Sequence, residues 1–296
     1  MSTDTLTAAY QHCLHIAKAH YENFPVASIL LGSKLRRATT VIYAFARCAD
    51  DIVDEGDQDA ATRHRQLNDF ESKLTAVANH EPSDDLLFIA LADVIQTFHL
   101  PLTPFYDLLT AFRQDIDTKT YATLDTVMAY CRYSANPVGQ LVLHLHAAAT
   151  PENLVLSDKI CTALQLINFA QDIDSDYRTR QRIYIPQDEM QLYGVDQTHF
   201  SQRIADTAMR QLIHVQLIRC RQLLAEGAAL ANNTQGRLRW ELRAIVASGL
   251  RILSKLEHRV DLFARPTLDL SDIINIIGTI FFYNRRIDIP NSAHNS

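Results

Sequence analysis

Apolar side chains recur at intervals of three and four along almost the whole chain, and this spacing constrains the fold more than any other feature. It predicts helices over 6–21, 37–55, 60–78, 84–98, 104–116, 124–148 and 152–176. A proline-free region, 187–265, continues the pattern in 198–230 and 238–262, and a last helix is expected over 271–284. The connections are short and carry breakers such as Glu81-Pro82-Ser83, Leu100-Pro101-Leu102 and Thr150-Pro151. Asn136-Pro137-Val138-Gly139 interrupts a strong helical pattern. Proline removes an amide donor and crowds the preceding turn, so a kink or break is expected there. No linker, repeat or shift in composition divides the chain. The expectation is one all-α domain over residues 1–296.

Glycine usage agrees with a helical fold and removes several functions. Only 8 glycines are present, where average usage of about 7% would give roughly twenty. Neither G-x-G-x-x-G nor G-x-x-x-x-G-K-[ST] occurs, so no Rossmann turn, P-loop or nicotinamide cofactor is indicated. A net charge of −6 with scattered arginines argues against nucleic acid as a partner. The 5 cysteines are odd in number, lack C-x-x-C spacing and sit among apolar neighbours, as buried free thiols do. That pattern, with no basic region leading into an apolar core at the start, gives a cytoplasmic expectation. The most apolar stretch, 273–282, falls short of the roughly 20 residues of a membrane span.

Chemistry concentrates in two acidic runs. The first is Tyr43-Ala44-Phe45-Ala46-Arg47-Cys48-Ala49-Asp50-Asp51-Ile52-Val53-Asp54-Glu55. Asp50 and Asp54 are four apart and share a helical face, where like charges cost about 0.2–0.5 kcal/mol. They also lie toward the helix C-terminus, where the macrodipole disfavours anions. Nothing local is expected to offset these terms; a bound cation would. The second run, Leu164-Gln165-Leu166-Ile167-Asn168-Phe169-Ala170-Gln171-Asp172-Ile173-Asp174-Ser175-Asp176, repeats the arrangement with Asp172 and Asp176. One such run alone reads as a solvated helix end. Two matched pairs read as oxygen ligands for Mg²⁺, which usually shares its coordination with substrate phosphates. Arg178, Arg180 and Arg182 follow, then Ile183-Tyr184-Ile185-Pro186. Such arginines either balance Asp174 and Asp176 in a solvated loop or bind phosphate, and the apolar flank favours the second role for Arg182.

These residues resemble the squalene/phytoene synthase family of isoprenoid enzymes. The resemblance rests on Tyr43-Ala44-Phe45-Ala46-Arg47 before Asp50-x-x-x-Asp54, and on Asn168-x-x-x-Asp172-x-x-x-Asp176 before Arg182-Ile183-Tyr184-Ile185-Pro186; it runs from His20 to about Glu257. It implies an isoprenoid (terpenoid) synthase-type helical bundle around a central apolar cavity. It further implies Mg²⁺ ions held by Asp50, Asp54, Asn168, Asp172 and Asp176 on a prenyl diphosphate. Arg47, His20, Gln165, Arg182 and Tyr184 match substrate-binding positions, and Tyr43 matches a position lining the cavity.

Departures narrow the resemblance. Many family members carry His-Ser-x-Ser-Phe where this chain has His20-Tyr21-Glu22-Asn23-Phe24. Gln171 stands where condensing enzymes commonly have arginine, and Gly249 where they commonly have tyrosine. With Ser134-Ala135-Asn136-Pro137-Val138-Gly139, these features look like the hydroxysqualene synthase subgroup of bacterial hopanoid pathways. That subgroup converts presqualene diphosphate, a C30 prenyl diphosphate, and water to hydroxysqualene and diphosphate. Loss of a guanidinium at Gln171 and of two hydroxyls at Tyr21 and Asn23 would suit a substrate with one diphosphate rather than two. The alternatives are a synthase joining two prenyl diphosphates, and a non-catalytic assembly factor, which would be expected to have lost its aspartates. The last helix, with Arg285-Arg286 beyond it, is either core or a peripheral contact with the inner face of the cytoplasmic membrane. Neighbouring pathway enzymes are the remaining partners that the resemblance implies.

Overall fold

The computed structural model describes residues 3–19, 32–283 and 287. Among them are fifteen helices and no strand. In chain order these begin with α1 (Thr3–Ala19), α2 (Ser33–Asp54), α3 (Ala60–Ala78), α4 (Leu86–Phe98), α5 (Thr103–Asp117), α6 (Leu124–Ser134) and α7 (Asn136–Leu145). They continue with α8 (Pro151–Gln171), α9 (Ile173–Arg180), α10 (Gln187–Tyr193), α11 (Gln197–Ser201) and α12 (Thr207–Gly227). The last three are α13 (Leu230–Asn233), α14 (Gly236–Glu257) and α15 (Leu270–Phe281). The all-α expectation holds. Contacts gather the chain into two units: one of Met1–Thr118 and Pro137–Ala149, the other of Lys119–Asn136 and Thr150–Ser296.

In the first unit, α2 is held by an aromatic cluster. The Phe45 ring lies 5.1 Å from Phe70 and 5.2 Å from Phe105, and Phe70 lies 4.9 Å from Phe88. Phe45, Phe88 and Phe105 are wholly buried. Such ring pairs add about 0.5–1.5 kcal/mol each beyond burial, so α2 is fixed against α3, α4 and α5 just where it approaches its acidic end. The Asp59 side chain accepts from the Thr62 amide and starts α3 as a cap.

In the second unit, α8 packs on α12 and α14. Thr150 caps α8, and Pro151 occupies its first turn, where no amide donor is needed. A Cβ on Gly227 would stand 2.6 Å from Ile160 Cγ1, so glycine is required for α12 to approach α8 this closely. Gly249 is buried in the same way. A Cβ there would meet Leu164 and Leu224 side chains at 3.0 Å, which explains why no tyrosine fits.

Three expected helices are divided. The 124–148 pattern breaks at Ala135, one residue before Asn136-Pro137, as the proline demands. The 152–176 pattern breaks at Asp172, whose φ and ψ of −101° and 17° separate α8 from α9. The 198–230 pattern becomes α11, α12 and α13, because the Asp206 side chain accepts from the Met209 amide and begins a new helix.

Candidate active site

In the first unit, residues 43, 47, 50 and 54 follow a 4-3-4 spacing on α2. Tyr43, Arg47, Asp50 and Asp54 therefore form one half-exposed stripe, while Val41, Phe45, Ala49 and Val53 face the core. The expectation that nothing local offsets the acidic end is corrected here. The Arg47 guanidinium lies 3.1 Å from Asp50, 2.5 Å from Asp51 and 2.9 Å from Glu55. It folds back along its own helix and neutralises part of the cluster. Burial raises the Tyr43 phenol above its ordinary pKa, against the lowering effect of Arg47. Tyr43 thus stays protonated.

The turn that follows is held by a residue sequence reasoning missed. Arg63 donates to the carbonyls of Gln58 at 3.1 Å, Gly56 at 2.7 Å and Ile52 at 3.4 Å. One guanidinium on α3 thereby gathers the chain leaving the aspartates. Nothing in the local sequence separates Arg63 from Arg65 beside it; only the folded turn does.

In the second unit, residues 165, 168, 172 and 176 again descend one side of the chain, but across the α8–α9 break. Asn168 is exposed, and Gln165, Asp172 and Asp176 are half-buried. Asp176 occupies the first turn of α9. Burial, and then the charge of Asp172, push its carboxyl up to about 7 despite Arg180, Arg182 and Arg265. Burial also raises Asp172, opposed by Arg265 and Arg180.

Arg265 is a second missed residue: its Nε lies 2.7 Å from Asp172 Oδ1. The same segment reaches α8 twice more. Arg259 donates to the Ala170 carbonyl at 3.0 Å, and the buried Gln171 donates its side-chain amide to the Pro266 carbonyl at 2.8 Å. Positive charge is therefore not lost from this end of α8, as the change to Gln171 suggested. It arrives on Arg265, far along the chain from Asp172, at a distance where no spacing rule operates.

The arginines after the motif differ in exposure. Arg178 is exposed and pairs with Asp174 at 2.9 Å, and Arg180 is exposed, whereas Arg182 is buried. Arg182 begins an extended segment laced to 119–122 by hydrogen bonds from Ile183 to Lys119 and from Gln187 to Tyr121. Tyr184 on this segment stacks on Phe169, with ring centres 3.8 Å apart and planes within 3°. Tyr121 and Tyr130 complete a four-ring group beside Asn168. Tyr121, Tyr130 and Phe169 were not anticipated, because their assembly depends on the 119–122 contact. His20, Tyr21, Asn23, Arg285 and Arg286 lie outside the described residues.

Comparison with known proteins places this geometry. The squalene/phytoene synthase family description matches residues 17–272, including both aspartate motifs. The chain belongs to that family. It is 38% identical to a hydroxysqualene synthase of Zymomonas mobilis over 213 residues, covering 71% of this chain and 70% of the relative. A hydroxysqualene synthase of Rhodopseudomonas palustris is 35% identical over 257 residues, or 86% of each chain. Among solved structures, a squalene synthase from Alicyclobacillus acidocaldarius superposes with a TM-score of 0.81 at 34% identity, over 86% of this chain and 95% of that one. The fold is thus the terpenoid synthase helical fold, and the chain is a prenyl-diphosphate-processing synthase.

Synthases of this family generally use divalent metal ions, and the donor set fits one. Among the described residues no three His, Cys, Asp or Glu side chains gather into a protein-only metal cage. What each unit offers is a carboxylate pair, and Mg²⁺ is typically held by one or two carboxylates plus phosphate oxygens and water. Burial, and then the charge of Asp172, raise the Asp176 carboxyl, and a bound cation would favour its ionised form.

Proposed function

We propose that this chain converts presqualene diphosphate and water to hydroxysqualene and diphosphate, a Mg²⁺-dependent carbon–oxygen lyase reaction in squalene and hopanoid formation. The observation that carries this reading is the likeness to two hydroxysqualene synthases across most of the chain. The working unit is residues 1–296 as one domain. Asp50, Asp54, Asn168, Asp172 and Asp176 would hold Mg²⁺. The bound ion supplies charge neutralisation for the departing diphosphate.

The chain's own groups do the rest. Arg47 exchanges carboxylate partners for phosphate oxygens, a trade favoured by the bidentate geometry of guanidinium on phosphate. Arg182, buried on its laced segment, adds a fixed positive charge, and Gln165 is a further substrate contact. Tyr43 presents a neutral phenol ring and Tyr184 a stacked aromatic face, both suited to a hydrocarbon chain carrying positive charge. The C–O bond to diphosphate breaks with both electrons leaving on oxygen, and a cyclopropane bond opens. Water then adds to the carbocation and releases a proton.

A second reading, condensation of two prenyl diphosphates, draws on the likeness to the squalene synthase and on Arg265, which keeps a guanidinium at Asp172. The two readings separate by substrate. Purified protein with Mg²⁺ is expected to form hydroxysqualene from presqualene diphosphate and nothing from farnesyl diphosphate alone. A C30 product from farnesyl diphosphate alone overturns the first reading in favour of the second.

A further inference from the structure

α15 is amphipathic in the reverse sense. A helix on a water-soluble surface turns its charge outward and its apolar stripe inward. Here the only charged side chain in Leu270–Phe281, Asp272, is 0% exposed and is held between Arg251, at 2.5 Å, and Lys255. Leu270, Ile273, Ile274, Ile277 and Phe281 follow 3-1-3-4 spacing along one face and are 47–83% exposed. Phe282 continues the patch. The cations Arg251 and Lys255 both pair with Asp272, and Lys255 also with the N-cap Asp269, so the exposed stripe of the helix itself carries no charge.

The rim of this face is basic and aromatic. On α14, Trp240 is exposed and its ring lies 6.0 Å from Phe281. Arg243 sits 5.1 Å from the rings of both Trp240 and Tyr283 and reaches the Ile280 carbonyl. Arg237 and Arg239 precede it, while Glu241, the one acidic residue among them, is buried. Beyond the helix the sequence runs Asn284-Arg285-Arg286.

We propose that α15 and the start of α14 form a docking surface for an anionic lipid bilayer, with α15 lying in the headgroup layer. At 12 residues α15 is about 18 Å long, too short for a hydrocarbon core of about 30 Å. No described helix is long and apolar enough to cross, so the helix rests on the membrane rather than spanning it. Apolar side chains toward acyl chains, Trp at the boundary and Arg beside anionic headgroups are the features of such helices. A second copy is a poorer fit: a strip about 18 Å by 10 Å is small against the roughly 800 Å² each partner gives a stable interface. A substrate with a prenyl chain gives the surface its use, since such molecules partition into lipid.

The test is co-sedimentation of the full chain with vesicles of phosphatidylethanolamine and phosphatidylglycerol, and separately with phosphatidylcholine vesicles. The native protein is expected to bind the anionic vesicles and to bind the neutral ones more weakly. Replacing Ile274→Ser with Ile277→Ser, or Phe281→Ser alone, should lower the bound fraction about tenfold while circular dichroism and turnover of detergent-dispersed substrate are unchanged. Absence of native binding, equal binding to both vesicles, or full binding by both variants overturns the proposal. So does a concentration-dependent dimer, measured without lipid, that Ile274→Ser dissolves.

Discussion

Asp50 and Asp54 close a continuous helix, whereas Asp172 stands on the break between two helices and Asp176 in the first turn of the second. The first pair meets an unfavourable dipole but is half-exposed, and Arg47 accompanies it on the same helix. In the second only Asp176 meets the favourable end of a dipole, since Asp172 also caps the C-terminus of α8, and burial raises both carboxyls, Asp176 to about 7. Desolvation therefore outweighs the helix dipole, whose effect near the surface is only about 0.3–1 kcal/mol. The lesson is that equal spacing in sequence does not give equal electrostatics. One pair is partly neutralised from its own helix; the other is desolvated, with Arg265 reaching Asp172 from a distant segment.

The most severe way to break this comparison is to neutralise one member of each pair. Asp54→Asn and Asp176→Asn are each expected to lower kcat/KM by about a thousandfold, equivalent to ~4 kcal/mol of barrier, in a Mg²⁺-supported assay. Loss confined to one pair would show that only that pair serves the reaction.

Stability should separate what activity does not. Folding raises the Asp176 carboxyl from 3.8 to about 7, so its ionised form is the one that folding disfavours. Its contribution is most favourable below pH 4 and is lost as pH climbs through 7. At ~1.4 kcal/mol per unit the ceiling is about 4 kcal/mol, reduced because the group is partly solvated. Metal-free Asp176→Asn should therefore gain about 2–4 kcal/mol in urea denaturation at pH 8 and nothing at pH 3.5. An unchanged slope in Asp176→Asn removes the contrast.

Smaller effects sharpen it further. Gly249→Ala pushes a methyl against Leu164, on the helix that carries Gln165 and Asn168, and against Leu224 on α12. It should cost about 1–3 kcal/mol by overpacking, read as a lower urea midpoint with the same m-value. Arg47→Gln removes three partly exposed ion pairs. It should cost no more than about 1 kcal/mol, and that cost should shrink in high salt.

Much of this was legible beforehand because it is local. The helix over 60–78 was expected with the boundaries it has, since its cap and its apolar period lie within it. The break beside Pro137 follows from a missing amide. Arg182 was separated from Arg178 and Arg180 by the apolar residues after it, and only Arg182 is buried. The break at Asp172 was not legible, because Gln171-Asp172-Ile173 contains neither glycine nor proline. It coincides with contacts from Arg259, Arg265 and Pro266, which sequence periodicity does not register. Arg47 reads from the sequence as a phosphate ligand, yet its i, i+3 and i, i+4 spacings to Asp50 and Asp51 equally allow the pairing with its own helix end that the structure shows.

The origin of the product oxygen tests the proposed reaction most directly. Presqualene diphosphate incubated with the purified protein and Mg²⁺ in ¹⁸O-labelled water should give hydroxysqualene carrying the label in its hydroxyl, with one diphosphate released for each product. Unlabelled product, or a hydrocarbon formed from farnesyl diphosphate with no hydroxyl at all, would contradict the account.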